Sequence, residues 1–231
     1  MYVNINNINE ELNFIFSFFS TKYFITDNNI KYFTKSDSKF ITWDNYRPGI
    51  YKEAYIYEFA DLKKDFQYSF LLNDGSFFQF YYDIKEDILQ KMKLAYYPIP
   101  KESRKLTEEF IENLIISGDY DEEIEEDLYN LLESHDYTSI SNSSCIRVDY
   151  DKNVESHSKC ELQIASINKL RIPLNHLISP IVFFDLMCKN LYSKLYLTSI
   201  NTIYMQKLTN SLKKSEEVEC IKDNIFAKLN I

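Results

Sequence analysis

The sequence predicts an α+β fold: an antiparallel sheet of at least four strands covered on one face by helices, with a C-terminal helical pair. Three observations carry that prediction. Residues 145–151 and 159–165 each alternate apolar with polar side chains, so each segment buries one face only. Residues 66–72 and 76–83 are aromatic-rich β segments flanking Asn73-Asp74-Gly75, residues that tolerate positive φ and suit a hairpin turn. Residues 180–195 carry apolar side chains at helical spacing around most of the circumference, as a helix laid over a sheet requires.

Composition bounds the class. A chain of 231 residues, 45% hydrophobic and 16% aromatic, can bury a sizeable core as one domain. The expected organisation is an α+β domain over 1–198 with a helical insertion at about 104–135, and C-terminal helices over 199–231 packed on the same domain. A net charge of −9 argues against a surface that grips nucleic acid all over, although a local basic patch survives such an average. Gly49, Gly75 and Gly118 are the only glycines, which excludes glycine-rich dinucleotide and Walker loops and the G-x-S-x-G elbow. Cys145, Cys160, Cys188 and Cys220 lie far apart, so reduced core thiols are expected rather than a zinc knuckle or disulfide framework. No apolar run reaches the roughly 18–20 residues of a membrane span, and a cytoplasmic protein is expected.

Taken in order, residues 7–20 form an amphipathic helix with Asn7 and Glu10 at capping spacing and Ile8, Leu12 and Phe19 on one stripe. Short strands follow at 23–26, 30–34 and 40–43, with Trp43 read as core. Residues 49–64 fit a helix or an irregular strand equally well. After the 66–83 hairpin, a strand over 94–99 ends at Pro98 and Pro100. Two helices then start at Thr107 and Asp119, the second with an acidic, water-facing run. Ser179 and Pro180 are the expected N-cap and first residue of the 180–195 helix. Helices over 201–212 and 215–229, the latter capped by Ser215, complete the chain.

The polar face of the 145–165 hairpin supplies the candidate site. Asp149, His157 and Glu161 are the candidate catalytic residues, and Arg147, Gln163 and Arg171 the candidate binding residues. The sequence assigns no cofactor and no metal-ligand set. Both apolar sets must face one core, so the loop needs an odd residue count. The simplest register pairs Asp151 with Glu155 and puts Asp149 opposite His157. Glu161 then lies about 13 Å from Asp149 along the strand, at roughly 3.3 Å per residue. That spacing opposes reading Asp149 and Glu161-Leu162-Gln163 as similar to the Asp…Glu-x-Lys arrangement of metal-dependent nucleases. A hydrogen-bonded structural ladder across this face is the plainer expectation. Ser156 and Ser158 point to the opposite face, against a Ser-His-Asp hydrolase. Pro173 favours an extended Ile172, which aims Arg171 toward the polar face and an ion pair with Glu161 or Asp149.

Several of these residues form a pattern: His157 with Leu162 and Ile164, Arg171-Ile172-Pro173, Ile178-Ser179-Pro180 with Phe183 or Phe184, and Leu191-Tyr192. With Arg147-Val148-Asp149-Tyr150 and the aromatic strand at 78–82, the chain resembles an uncharacterised bacterial family known only as a domain of unknown function. In that pattern a proline tends to follow the first histidine and a second histidine precedes the leucine; here Ser158 and Glu161 stand there. The resemblance implies a fold and candidate residues but no reaction. The functional expectation is an accessory or adaptor protein acting through a protein partner, in a bacterial defence or mobile-element setting. The alternative is a metal-dependent nuclease or toxin using the polar face. Nucleic-acid binding and oligomeric state are left open.

Overall fold

The computed structural model describes residues 3–22, 24–47, 55–100, 116, 144–164 and 170–218. In chain order the elements run α1 (Ile5–Ser20), β1 (Ile25–Asn28), β2 (Ile30–Lys35), β3 (Ser38–Trp43), α2 (Tyr55–Lys64), β4 (Phe70–Leu72), β5 (Phe77–Lys85) and β6 (Ile88–Tyr97). After them come β7 (Ile146–Asp151), β8 (Cys160–Ile164), β9 (Leu170–Pro173), α3 (Pro180–Leu191), α4 (Ser193–Ser199) and α5 (Thr202–Lys213). The helices expected at 104–135 and most of the last helix, with Cys220, lie outside the described residues.

The nine described strands form one antiparallel sheet in the order β1-β4-β5-β6-β7-β8-β9. β5 is long enough to pair with β4 near its start and with β3 near its end, and β2 extends the sheet from β3. The expected α+β class is therefore what the chain adopts. The longest pairing, β5 with β6, turns at Glu86 and Asp87, whose φ values of 52° and 59° make the two-residue positive-φ turn that a right-twisted hairpin needs. The strand expected over 94–99 accordingly begins earlier, at Ile88.

One face of the sheet packs against α1, α3 and α5. Ile8, Leu12, Ile15 and Phe19 of α1 are buried at the expected helical spacing. Phe184 of α3 sits with its ring centroid 4.9 Å from both Phe19 and Phe78, joining two helices to β5. Tyr204 and Leu208 bring α5 into the same core.

Two local expectations are corrected, and one, the Ser179 cap, holds in position but not in hydrogen bonding. Helix α1 starts two residues earlier than expected, and Asn4 rather than Asn7 is its N-cap, accepting from the Asn6 N–H at 2.9 Å. Ser179 has the extended backbone of an N-cap, but its hydroxyl caps nothing. Glu11 does that work from another helix: its carboxylate accepts from the Ile181 N–H at 3.2 Å and from Ser211 Oγ at 2.5 Å. Ser215 begins no helix; its hydroxyl donates to the Leu177 carbonyl, and Glu217 forms a β-bridge with His176.

The expectation of helical cover on one face only is also corrected. On the second face Phe77, Ala95, Tyr97 and Cys145 are apolar, and α2 closes over them with Tyr55, Phe59 and Leu62. Leaving such a patch in water would forgo its burial, on the order of 25 cal/mol per Å². The cover ends where the residue types change. Farther along the same face stand Tyr81, Lys93, Asp149 and Glu161, and among the described residues this half is an open cleft.

Candidate functional site

The cleft is built by strand register. Tyr81 pairs with Lys93, Lys93 with Asp149 and Asp149 with Glu161, so one cross-strand row carries all four side chains over β5 to β8. The next row holds Arg147 opposite Gln163 and Gln163 opposite Arg171. Alternation along each strand keeps both rows on the same face.

This register corrects the expected one. The β7–β8 pairs are Ile146–Ile164, Val148–Leu162 and Tyr150–Cys160, four residues along from the expected match. A shift by an even number preserves every side chain's face, so the pattern of alternation allows both. Packing decides. In the observed register all three core-side pairs are apolar on both strands, whereas the expected one set Val148 against Ser158. The loop grows accordingly, and His157 lies in it rather than opposite Asp149.

Every predicted site residue lines the cleft, though in different partnerships. Arg147 Nε lies 2.8 Å from Asp149 Oδ2, and Arg147 Nη2 donates to Gln163 Oε1 at 2.6 Å. Arg171 Nη1 donates to Glu161 Oε2 at 3.0 Å, the ion pair expected from the extended Ile172. His157 folds back from its loop, with Nδ1 2.9 Å from Glu161 Oε1 and Nε2 3.5 Å from Arg171 Nη1. The ring satisfies both neighbours when Nδ1 donates to the carboxylate and Nε2 accepts from the guanidinium. Glu161, 4% exposed, is the hub of the arrangement.

Two directly opposed carboxylates are an unfavourable cross-strand pair. Burial pushes the Asp149 carboxyl above its ordinary range, against the pull of the Arg147 and Lys93 cations. Burial and the Arg147 charge lower Lys93, against the attraction of Asp149. Lys93, Tyr81 and the adjoining Tyr46 are cleft residues that the sequence reading missed. Their signal was present, since Lys91 and Lys93 alternate with Met92 and Leu94.

Lys93 yields a prediction. Its ammonium lies 5.9 Å from the Tyr97 ring centroid, and among the described residues no ion pair holds it. The lowered pKa means that the fold disfavours its charge even with Asp149 beside it. Lys93→Met, which keeps length and removes charge, is expected to stabilise the protein by about 1 kcal/mol in urea denaturation. A loss of stability would show that the ammonium supports the fold.

The lining residues include five cationic side chains, Lys91, Lys93, Arg147, Lys159 and Arg171, against three carboxylates, Asp149, Asp151 and Glu161. The cleft is thus net basic in an acidic chain, with a volume of about 390 Å³. Among the described residues no three His, Cys, Asp or Glu side chains form a ready metal cage. Asp149 and Glu161 offer two carboxylates, the number with which proteins commonly hold Mg²⁺ while water and substrate phosphate complete the shell. The described cysteines, Cys145, Cys160 and Cys188, are free and buried, as expected of core thiols. Among the described residues no helix is long and apolar enough to cross a membrane.

Neither the curated proteins nor the solved structures contain a match to the chain. One family does match, over residues 24–230, a span that includes the whole cleft and all nine described strands. The chain therefore belongs to the family described as uncharacterized conserved protein, DUF2290.

Proposed function

We propose that the cleft binds a divalent cation between Asp149 and Glu161 and hydrolyses phosphodiester bonds in nucleic acid. The observation that supports this reading is their direct opposition on β7 and β8. Opposed residues have Cβ atoms roughly 4.5–5.5 Å apart, close enough for two carboxylates to share one ion. The separation of about 13 Å that opposed a nuclease belongs to a register the chain does not adopt.

The chemistry follows from an exchange of partners. Without metal, Arg147 neutralises Asp149 while Arg171 and His157 engage Glu161. Asp149 and Glu161 would hold a divalent ion, and Arg147 and Arg171, released from them, would grip the non-bridging oxygens of a phosphodiester as forked donors. When bound, such an ion would supply a water of lowered pKa and Lewis-acid polarisation of the phosphoryl group. Hydrolysis would form a P–O bond to the water oxygen and break the bond to the leaving oxygen, the proton lost by the water passing to that leaving oxygen. Lys93 adds positive charge where negative charge accumulates.

The test is cleavage of labelled oligonucleotides by the purified protein with Mg²⁺ or Mn²⁺, and its loss in chelator. Calorimetry would measure Mn²⁺ binding alongside. Absence of both binding and cleavage would discard the reading.

A second reading, a cytoplasmic accessory protein acting through a protein partner in a bacterial defence or mobile-element system, draws on a different surface. Leu197, Ile203, Met205 and Leu212 of α4 and α5 are exposed apolar residues. On this reading the protein co-purifies with the product of a neighbouring gene, and Ile203→Glu breaks the association. Unchanged co-purification of that variant would remove α5 as the docking face.

A further inference from the structure

We infer that the strand entering the cleft is single-stranded, with an unpaired base stacked on an aromatic wall formed by Tyr46 and Tyr81. This rests on the nuclease reading and adds the substrate class. The two rings are stacked with centroids 4.8 Å apart and planes 22° from parallel, and both line the cleft. Tyr81 shares the cross-strand row of Lys93 and Asp149. Two strand spacings of roughly 4.7–4.9 Å put it about 10 Å from Asp149, a reach of the order of one nucleotide.

The wall is fixed from beneath. Gln67 is fully buried and pins both neighbours of Tyr46: its Nε2 donates to the Asn45 carbonyl at 2.8 Å, and its Oε1 accepts from the Arg47 N–H at 2.9 Å. The same Oε1 accepts from Trp43 Nε1 at 3.0 Å. Trp43, 3% exposed, then meets the Tyr46 ring edge-on at 5.1 Å. A buried side chain thus holds a short loop whose central residue is a half-buried aromatic ring at the cleft wall. Gln79, in turn, donates to the Gln67 carbonyl at 2.6 Å.

Aromatic rings beside a basic groove bind single strands by stacking on base faces, which a duplex keeps stacked internally. Arginine and lysine supply the backbone contacts, which makes such binding salt-sensitive. The cleft joins these features: an aromatic wall at one end, Arg171 at the other, and Asp149, Arg147 and Glu161 between.

Fluorescence anisotropy of labelled single-stranded DNA, single-stranded RNA and a blunt DNA duplex tests the inference, with Ca²⁺ in place of Mg²⁺ or Mn²⁺ so that an ion holds the carboxylates and the guanidinium groups are free, and with the integrity of each labelled strand checked on gels. Single strands of either sugar are expected to bind at least about tenfold more tightly than duplex. Tyr81→Leu should remove about tenfold of that affinity, Tyr81→Phe should retain it, and Tyr46→Ser, a loop substitution, should repeat the loss. Thermal melting of each variant separates lost stacking from lost fold. Equal binding of single strand and duplex, or folded Tyr81→Leu and Tyr46→Ser proteins binding like wild type, would overturn it. Ring-dependent binding of single strands without cleavage under any metal would sink the nuclease reading while the stacking site stood. Metal-dependent cleavage preferring duplex and indifferent to Tyr81 would do the reverse.

Discussion

Raising the pH above 10 is expected to unfold the protein cooperatively, well before its exposed amines and phenols have finished titrating. The cause is the number of tyrosines in the interior. Tyr55, Tyr82, Tyr96, Tyr97 and Tyr204 are all buried, and burial is the first cause that holds each phenol above its ordinary value near 10. Neighbouring carboxylates add to it: Tyr97 Oη donates to Glu58 Oε1 at 3.2 Å and Tyr204 Oη to Asp185 Oδ1 at 3.0 Å. Among the described residues Tyr82 Oη has no hydrogen-bond partner to soften its burial. A phenol raised in the folded state keeps its proton there after the unfolded chain has lost it. Its stabilising contribution is therefore complete below pH 10 and is lost as the pH rises from the unfolded toward the folded pKa. Each such group removes about 1.4 kcal/mol per pH unit over that window. Lys93, lowered in the fold, acts with the opposite sign, since its penalty fades as pH rises, but it is one group against five. Far-UV circular dichroism and tyrosinate absorbance should change together between about pH 10 and 12. Gradual ionisation with the fold intact would show that these phenols are reachable by water.

The elements with a regular period were legible in the sequence, and those set by tertiary context were not. The α1 stripe of Ile8, Leu12, Ile15 and Phe19 and the apolar belt of α3 are periodic signals that packing reinforces. The β5–β6 hairpin was missed because Glu86 and Asp87, without glycine or asparagine, occupy a turn that those residues usually mark. Helix α2 stayed undecided because its apolar residues cover a patch on the second face, and Phe77, Ala95, Tyr97 and Cys145 come from three separate parts of the chain. The α3 cap was legible in position, at Ser179 before Pro180, but not in its hydrogen bonding. Ser179 satisfies the local rule, and Glu11 reaches the helix only through the fold.

At the cleft, alternation was enough to put Arg147, Asp149, Glu161, Gln163 and Arg171 on one face and not enough to say which of them meet. Face assignment has a period of two, so a register displaced by four residues leaves it untouched. A criterion within reach of the sequence was the apolar match across the strands, which favours Val148 opposite Leu162 over Val148 opposite Ser158. That criterion has a price on the other face, where it sets Asp149 against Glu161. A sheet built for stability alone avoids like charges at directly opposed positions. A local rule broken with cations gathered around the breach is the usual mark of a site rather than of a ladder.

Asp149→Asn and Glu161→Gln are each expected to lower metal-dependent cleavage by roughly 10²–10³-fold, the loss typical of removing one charge-stabilising group from a reacting centre. The double variant should lose little more than either single one, because half of a two-carboxylate ion site holds the ion poorly. Stability should respond differently. The fold disfavours the charge of Asp149, so Asp149→Asn should leave the metal-free protein as stable as wild type or slightly more so. Glu161→Gln gives up an ion pair to Arg171 and a hydrogen bond from His157, but these partners are 45% and 40% exposed and regain water, so the cost should stay below about 1 kcal/mol. In wild type, Mn²⁺ should raise the melting temperature, and in both variants that rise should disappear. A structural ladder has the opposite signature: both substitutions would lower the melting temperature with and without metal, and any activity per folded molecule would be unchanged. Calorimetry of the three proteins with and without Mn²⁺, beside cleavage assays on the same preparations, decides between site and ladder, because only a site couples the loss of cleavage to the loss of metal stabilisation while sparing the fold.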